Sequence, residues 1–147
     1  MKKVLNILIV LCIVVIWSNS MKSIPQSLGQ SEGLRIIIER FLVNIGLESI
    51  VTSTYWNADS FRKLAHFIEF GGLSAIITTY VLLTKRNHSW VLVVIPIAMI
   101  DETIQIFSKR GPGIKDVIID CFGGLFGFLF VILIYMLCMK FRRDTHE

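Results

Sequence analysis

The sequence predicts an all-α integral membrane protein: a four-helix bundle with an amphipathic interfacial helix between the first and second spans. Three observations predict it. The 147 residues are 54% hydrophobic and only 18% charged, against about 45–50% apolar and about 25% charged in a soluble domain. The apolar residues gather in four runs, near the length of about 20 residues that crosses a bilayer. Lys and Arg cluster at the run ends, so the net charge of +4 reads as membrane-edge charge. With a mean hydropathy of +0.67, this composition excludes disorder and a disulfide scaffold. No basic patch carries interleaved stacking aromatics, so no nucleic-acid partner is expected. The length suits one membrane domain over residues 1–147, with spans near 4–19, 63–84, 90–107 and 116–139.

The first run covers residues 4–17, broken only by Asn6. Lys2 and Lys3 precede it and Ser18-Asn19-Ser20 follow, a layout shared by signal peptides and membrane anchors. Trp17 suits an interfacial anchor better than a cleavage flank, so a retained helix is expected. The second run, 64–83, holds His66 and Glu69 near its start. The third, 90–107, is apolar at first and then carries Asp101, Glu102 and Gln105. Pro96 in its middle removes a backbone donor and predicts a kink. The fourth, 117–139, follows Asp116, contains Asp120 and ends at Lys140, Arg142 and Arg143.

The connections differ. Residues 85–89 form a tight loop, and Gly111-Pro112-Gly113 marks a turn in 108–115. Within the long stretch 18–60, Leu34, Ile37, Ile38, Phe41, Leu42 and Ile45 recur at helical spacing, as in a helix lying at a membrane surface. Tyr55 and Trp56 fit an interfacial belt before the second span. Cys12, Cys121 and Cys138 lie in apolar runs without metal-ligand spacing and read as buried thiols.

An inside N-terminus places Lys2, Lys3, Lys85, Arg86, Lys140, Arg142 and Arg143 in the cytoplasm and the other eight of the 15 basic residues outside. The count is even. The inside groups are short, dense and acid-poor, which favours cytoplasmic termini. In either orientation the second span begins, the third ends and the fourth begins on one side. That side therefore collects His66, Glu69, Asp101, Glu102, Gln105, Asp116 and Asp120. At 1.5 Å per residue Asp101 lies about 9 Å below Phe107, the deepest of these charges.

His66 and Glu69 are i, i+3; Asp101 and Gln105, and Asp116 and Asp120, are i, i+4, so each pair shares a helix face. Gly123 and Gly127 continue the Asp116–Asp120 stripe as a small-residue packing surface. Ionisable groups within a span cost several kcal/mol unless paired or hydrated. The acids Glu69, Asp101, Glu102, Asp116 and Asp120 are matched by the bases Arg62, Lys63, Lys109, Arg110 and Lys115. They read either as a polar pocket on the outer side or as pairs that staple the helices. Asp101, Glu102 and His66 are residue types that hold a divalent ion. No HExxH, GxSxG or phosphate loop accompanies them, so no resident metal or cofactor is expected.

The stretch Lys63-Leu64-Ala65-His66-Phe67-Ile68-Glu69-Phe70-Gly71-Gly72-Leu73 resembles the first signature of the VanZ-like family, Lys-x-x-His-Phe, an aromatic, then Leu. Asp101-Glu102-Thr103-Ile104-Gln105 resembles its second, Asp-Glu-x-x-Gln; Arg110, Asp116-Val117, Gly123 and Gly127 resemble its third. The resemblance covers about 62–139. Phe70 stands where that family usually has Tyr, and Asp120 where Asn is commoner. The resemblance implies a bacterial integral membrane protein, the family's namesake conferring low-level teicoplanin resistance. It also implies that Lys63, His66, Asp101, Glu102, Gln105, Arg110 and Asp116 are signature positions.

The expected function is an envelope protein that binds or shields a lipid-linked cell-wall component at the outer leaflet, lowering access for a lipoglycopeptide. Its binding cluster would be Lys63, His66, Glu69, Asp101, Glu102, Gln105, Arg110, Asp116 and Asp120. Lys63 and Arg110 would meet phosphate. Membrane lipids are the expected partners, with oligomerisation open. The alternative is an enzyme acting on a lipid headgroup or lipid-linked phosphate, with His66 as general acid/base and Glu69 or Asp101 assisting. The balance leans away from catalysis. A small proton-coupled transporter is a third reading, for which four spans would require a dimer.

Overall fold

The computed structural model describes residues 2–52, 56–108 and 113–144. Among them the chain is helical and contains no strand: α1 (Lys2–Ser20), α2 (Ile24–Asn44), α3 (Glu48–Val51), α4 (Ala58–Thr84), α5 (Val94–Phe107) and α6 (Ile114–Asp144). A 3-10 segment, His88–Val93, leads into α5. Four stretches are long and apolar enough to cross a membrane: Lys2–Ser20, Ala58–Thr84, His88–Phe107 and Ile114–Arg142. Tyr55, Lys109, Arg110, Gly111 and Pro112 lie outside the described residues.

Local chemistry sets the helix ends. Pro25 sits in the first turn of α2, where a missing N–H costs nothing. The Gln26 side chain accepts from the Ser23 backbone N–H at 3.2 Å. Asn57 caps α4 by accepting from the Ser60 N–H at 2.9 Å. At its far end Lys85 turns left-handed, φ 53°. The Arg86 N–H then reaches back to the Val81 carbonyl at 3.2 Å. The 3-10 segment ends at Val93, so Pro96 falls in the first turn of α5, where proline is well tolerated.

Helix α4 is the centre of the bundle, packed most extensively on α6 and also against α1, α2 and α5. The α4–α6 approach is set by glycine. A Cβ on Gly123 would lie 2.3 Å from the Phe67 carbonyl oxygen, and one on Gly127 2.0 Å from that of Gly71. Backbone meets backbone there, the contact that small residues permit between membrane helices. Ile16, Phe70, Leu73, Ile77, Val81, Val94, Ile97 and Ala98 form the apolar core. Outward residues such as Phe122, Phe126, Leu129 and Leu133 are exposed, as lipid-facing positions are. The amphipathic stretch begins at Ile24, ten residues before its apolar repeat, and α2 docks on α4. Ile37 and Phe41 remain 67% and 62% exposed on its free face.

Candidate polar site within the bundle

One turn above Phe70, the core changes from apolar to polar. His66 on α4, Asp101 and Gln105 on α5, Asp120 on α6 and Ser20 at the end of α1 are all 5% exposed or less. Asp101 is held from two sides. Ser20 Oγ donates to its Oδ1 at 2.6 Å, and Gln105 Nε2 donates to its Oδ2 at 2.8 Å. His66 Nδ1 lies 3.9 Å from Asp101 Oδ2 and 3.6 Å from Asp120 Oδ1. Thus one imidazole stands between two carboxylates contributed by different helices. Ligand-type atoms of His66, Asp101 and Asp120 all lie within 4.8 Å of one another.

A second layer joins α1, α2 and α4. Asn19 Nδ2 donates to Glu69 Oε1 at 2.5 Å, while Lys22 Nζ donates to Asn19 Oδ1 at 2.7 Å and to Gln30 Oε1 at 2.9 Å. Beside it runs a groove of about 130 Å³, lined by Asn19, Ser27, Gln30, Arg62, His66 and Glu69 among others. It connects the buried His66 to the surface between α2 and α4.

The expected cluster thus divides into three groups. His66, Asp101, Gln105 and Asp120 meet in the interior, and Glu69 lies half-buried beside them. Glu102 does not join: its carboxylate accepts from the Gly113 N–H and ties the end of α5 to the start of α6. Neighbours in a helix sequence point about 100° apart, so Asp101 and Glu102 cannot share an inward face. Lys63 and Asp116 also stand outside the interior. Lys63 Nζ pairs with Asp59 at 2.5 Å, and Asp116 receives Arg62 Nη1 at 3.5 Å. Arg110 lies outside the described residues.

A known sequence family matches the chain. The family described as VanZ/LLP1 matches residues 5–136, nearly the whole chain and all four apolar helices. The chain belongs to the VanZ/LLP1 family. No curated protein and no solved structure matches it. In this VanZ/LLP1 member, α1 falls within the matched region and supplies two polar contacts that the sequence alone did not single out. Ser20 and Asn19 looked like the polar flank of a hydrophobic segment. The usable signal was their spacing: adjacent small polar residues, placed one turn beyond the core residue Ile16.

At the surface of α2, Arg35 bridges Glu32 and Glu39, both at 2.6 Å. Its guanidinium donates to Glu32 and holds that carboxyl below the usual carboxylate range; the same bond raises Arg35.

Chemically, the interior offers acceptors and one imidazole. Asp101 is fixed as an acceptor, and His66 reaches the groove. Such a set can move a proton between imidazole and carboxylate or gather around a cation.

Proposed function

We propose that this VanZ/LLP1 protein acts in the bacterial cell membrane by holding the headgroup of a lipid-linked envelope component in the groove between α2 and α4. The observation that carries this reading is the polar groove beside an exposed apolar helix face. Ile37 and Phe41 on α2 meet acyl chains, while Arg62, Gln30, Asn19 and Glu69 face a headgroup. Arg62 takes the phosphate-binding role. Its guanidinium is oriented by Asp59 at 2.9 Å and Asp116 at 3.5 Å, leaving donors of its planar fork for a phosphate. Lys63 is held by Asp59 and is less suited to that role. With cytoplasmic termini the groove opens to the outer leaflet. Shielding the headgroup there lowers access for a lipoglycopeptide such as teicoplanin.

The test pairs binding with phenotype. Wild type, Arg62→Ala and Glu69→Ala are expressed at matched membrane levels in a glycopeptide-sensitive bacterium. Teicoplanin is compared with vancomycin, and a photoreactive polyprenyl phosphate is crosslinked to the purified protein. Selective teicoplanin protection with labelling of α2 and α4, both lost in Arg62→Ala, is expected. Equal drug sensitivity with and without the protein, together with no labelling, overturns the reading.

A second reading, an enzyme acting on the same headgroup, draws on His66, which lines the groove with two carboxylates behind it. There the imidazole serves as general acid/base and Asp101 orients it. Turnover of a labelled lipid, lost in His66→Gln, would select this reading; no turnover across a lipid panel selects binding.

A further inference from the structure

We propose that His66, Asp101 and Asp120 form a binding site for one divalent first-row metal ion, Zn²⁺ or Mn²⁺, held between α4, α5 and α6. The site lies at the inner end of the groove, which His66 borders, and its ligands come from this chain alone.

The first argument is geometric. Zn–N and Zn–O bonds of about 2.0–2.2 Å place tetrahedral donor atoms about 3.4 Å apart. His66 Nδ1 lies 3.6 Å from Asp120 Oδ1 and 3.9 Å from Asp101 Oδ2. All three ligand atoms lie within 4.8 Å of one another, so side-chain rotations bring ligands from three helices onto one ion.

The second argument is the unmet hydrogen-bonding need of Asp120. Asp120 is 1% exposed, and its Oδ1 receives no hydrogen bond. That oxygen is aimed at the imidazole, at a separation beyond hydrogen-bond length. The second carboxylate, Asp101, stands across the same imidazole, its Oδ2 3.9 Å from His66 Nδ1. A buried carboxylate oxygen without a donor is costly, and neighbouring acids add to that cost. A dication supplies what the side chains around Asp120 do not.

The surroundings fit a metal centre. Ser20 and Gln105 donate to Asp101 and fix its orientation, as outer partners do for metal-ligating carboxylates. His66 borders the groove, so solvent can reach the ion and complete its coordination. Three protein ligands with an open position describe a reactive site, not a closed structural one. One imidazole and two carboxylates form a mixed N/O set, suited to Zn²⁺ or Mn²⁺ and unsuited to Cu(I).

The full chain, purified in detergent and stripped with a chelator, is titrated with Zn²⁺ against a competing fluorescent chelator. Mn²⁺ binding is followed by loss of the free-ion electron paramagnetic resonance signal. One ion per chain is expected. Asp120→Asn and His66→Gln lose the site, whereas Glu32→Gln on α2 keeps it. Ser20→Ala, a milder change, weakens binding about tenfold. Circular dichroism and size exclusion establish that each variant is folded. Folded wild type that takes up no stoichiometric Zn²⁺ or Mn²⁺ at micromolar free metal overturns the proposal. So does uptake that Asp120→Asn, His66→Gln and Ser20→Ala leave unchanged, because the ion then sits elsewhere. Polyprenyl phosphate labelling of the same samples separates failure of the metal site from failure of the headgroup reading.

Discussion

Two charged regions of this protein are built in opposite ways. At the edge, Glu32, Arg35 and Glu39 pair along α2, and Asp59 pairs with Arg62 and Lys63 along α4. Every one of those pairs is i, i+3 or i, i+4, made within one helix and balanced in sign. In the interior, Asp101, Asp120 and His66 come from three helices, and acids outnumber bases. The difference is instructive. Edge charges are only partly covered, neutralised by near neighbours and worth little, since water competes for them. Interior charges are dry and held by donors such as Ser20 and Gln105, so each contact there carries more weight.

The largest effect comes from breaking the frame that makes the interior set possible. Gly127→Val places a side chain where a Cβ already falls 2.0 Å from the Gly71 carbonyl oxygen. Helices α4 and α6 must separate, costing about 3 kcal/mol. Thermal unfolding in detergent reads the loss, and the pairs within α2 survive it. A smaller effect follows from removing the interior acceptor. Asp101→Ala leaves the Ser20 hydroxyl and the Gln105 amide without the carboxylate they donate to, costing about 2 kcal/mol. If the cost matches that of an edge change such as Asp59→Ala, the contrast between the two regions fails.

The smallest effect belongs to the edge. Glu32 is held below the usual carboxylate range chiefly by its hydrogen bond from Arg35. Because the folded value is lowered, its contribution is complete above the unfolded carboxylate value. It is lost as pH falls through the lowered folded value. A carbon-13 titration of the Glu32 carboxyl in micelles should show a depressed midpoint that returns toward the ordinary value in Arg35→Ala. A midpoint unmoved by that substitution would remove Arg35 as the cause.

Much of the architecture was legible from residue order. Apolar run length marked four helices of membrane-crossing length. The i, i+4 offset placed Gln105 beside Asp101, and it placed Gly123 and Gly127 on one stripe. Glu102 is adjacent to Asp101 in sequence, but the turn of the helix sends its side chain in a different direction, toward Gly113. Ser20 went unnoticed because nothing local distinguishes a polar flank from a polar ligand. Pro96 stands mid-way in the apolar run 90–107 but in the first turn of α5, which starts at Val94.

By itself the sequence determined which segments are helical, which faces are apolar and which side of the bundle collects the polar residues. Those properties follow from hydropathy and helical period, both local quantities. Only the tertiary structure decided that Ser20, His66, Asp101 and Asp120 meet. It also decided that Glu102 and Lys63 turn to other work. The reason is that a meeting between helices depends on how closely and at what rotation they pack. Here α4 and α6 are brought backbone to backbone at Gly123 and Gly127, and α1 and α5 close the polar end around them.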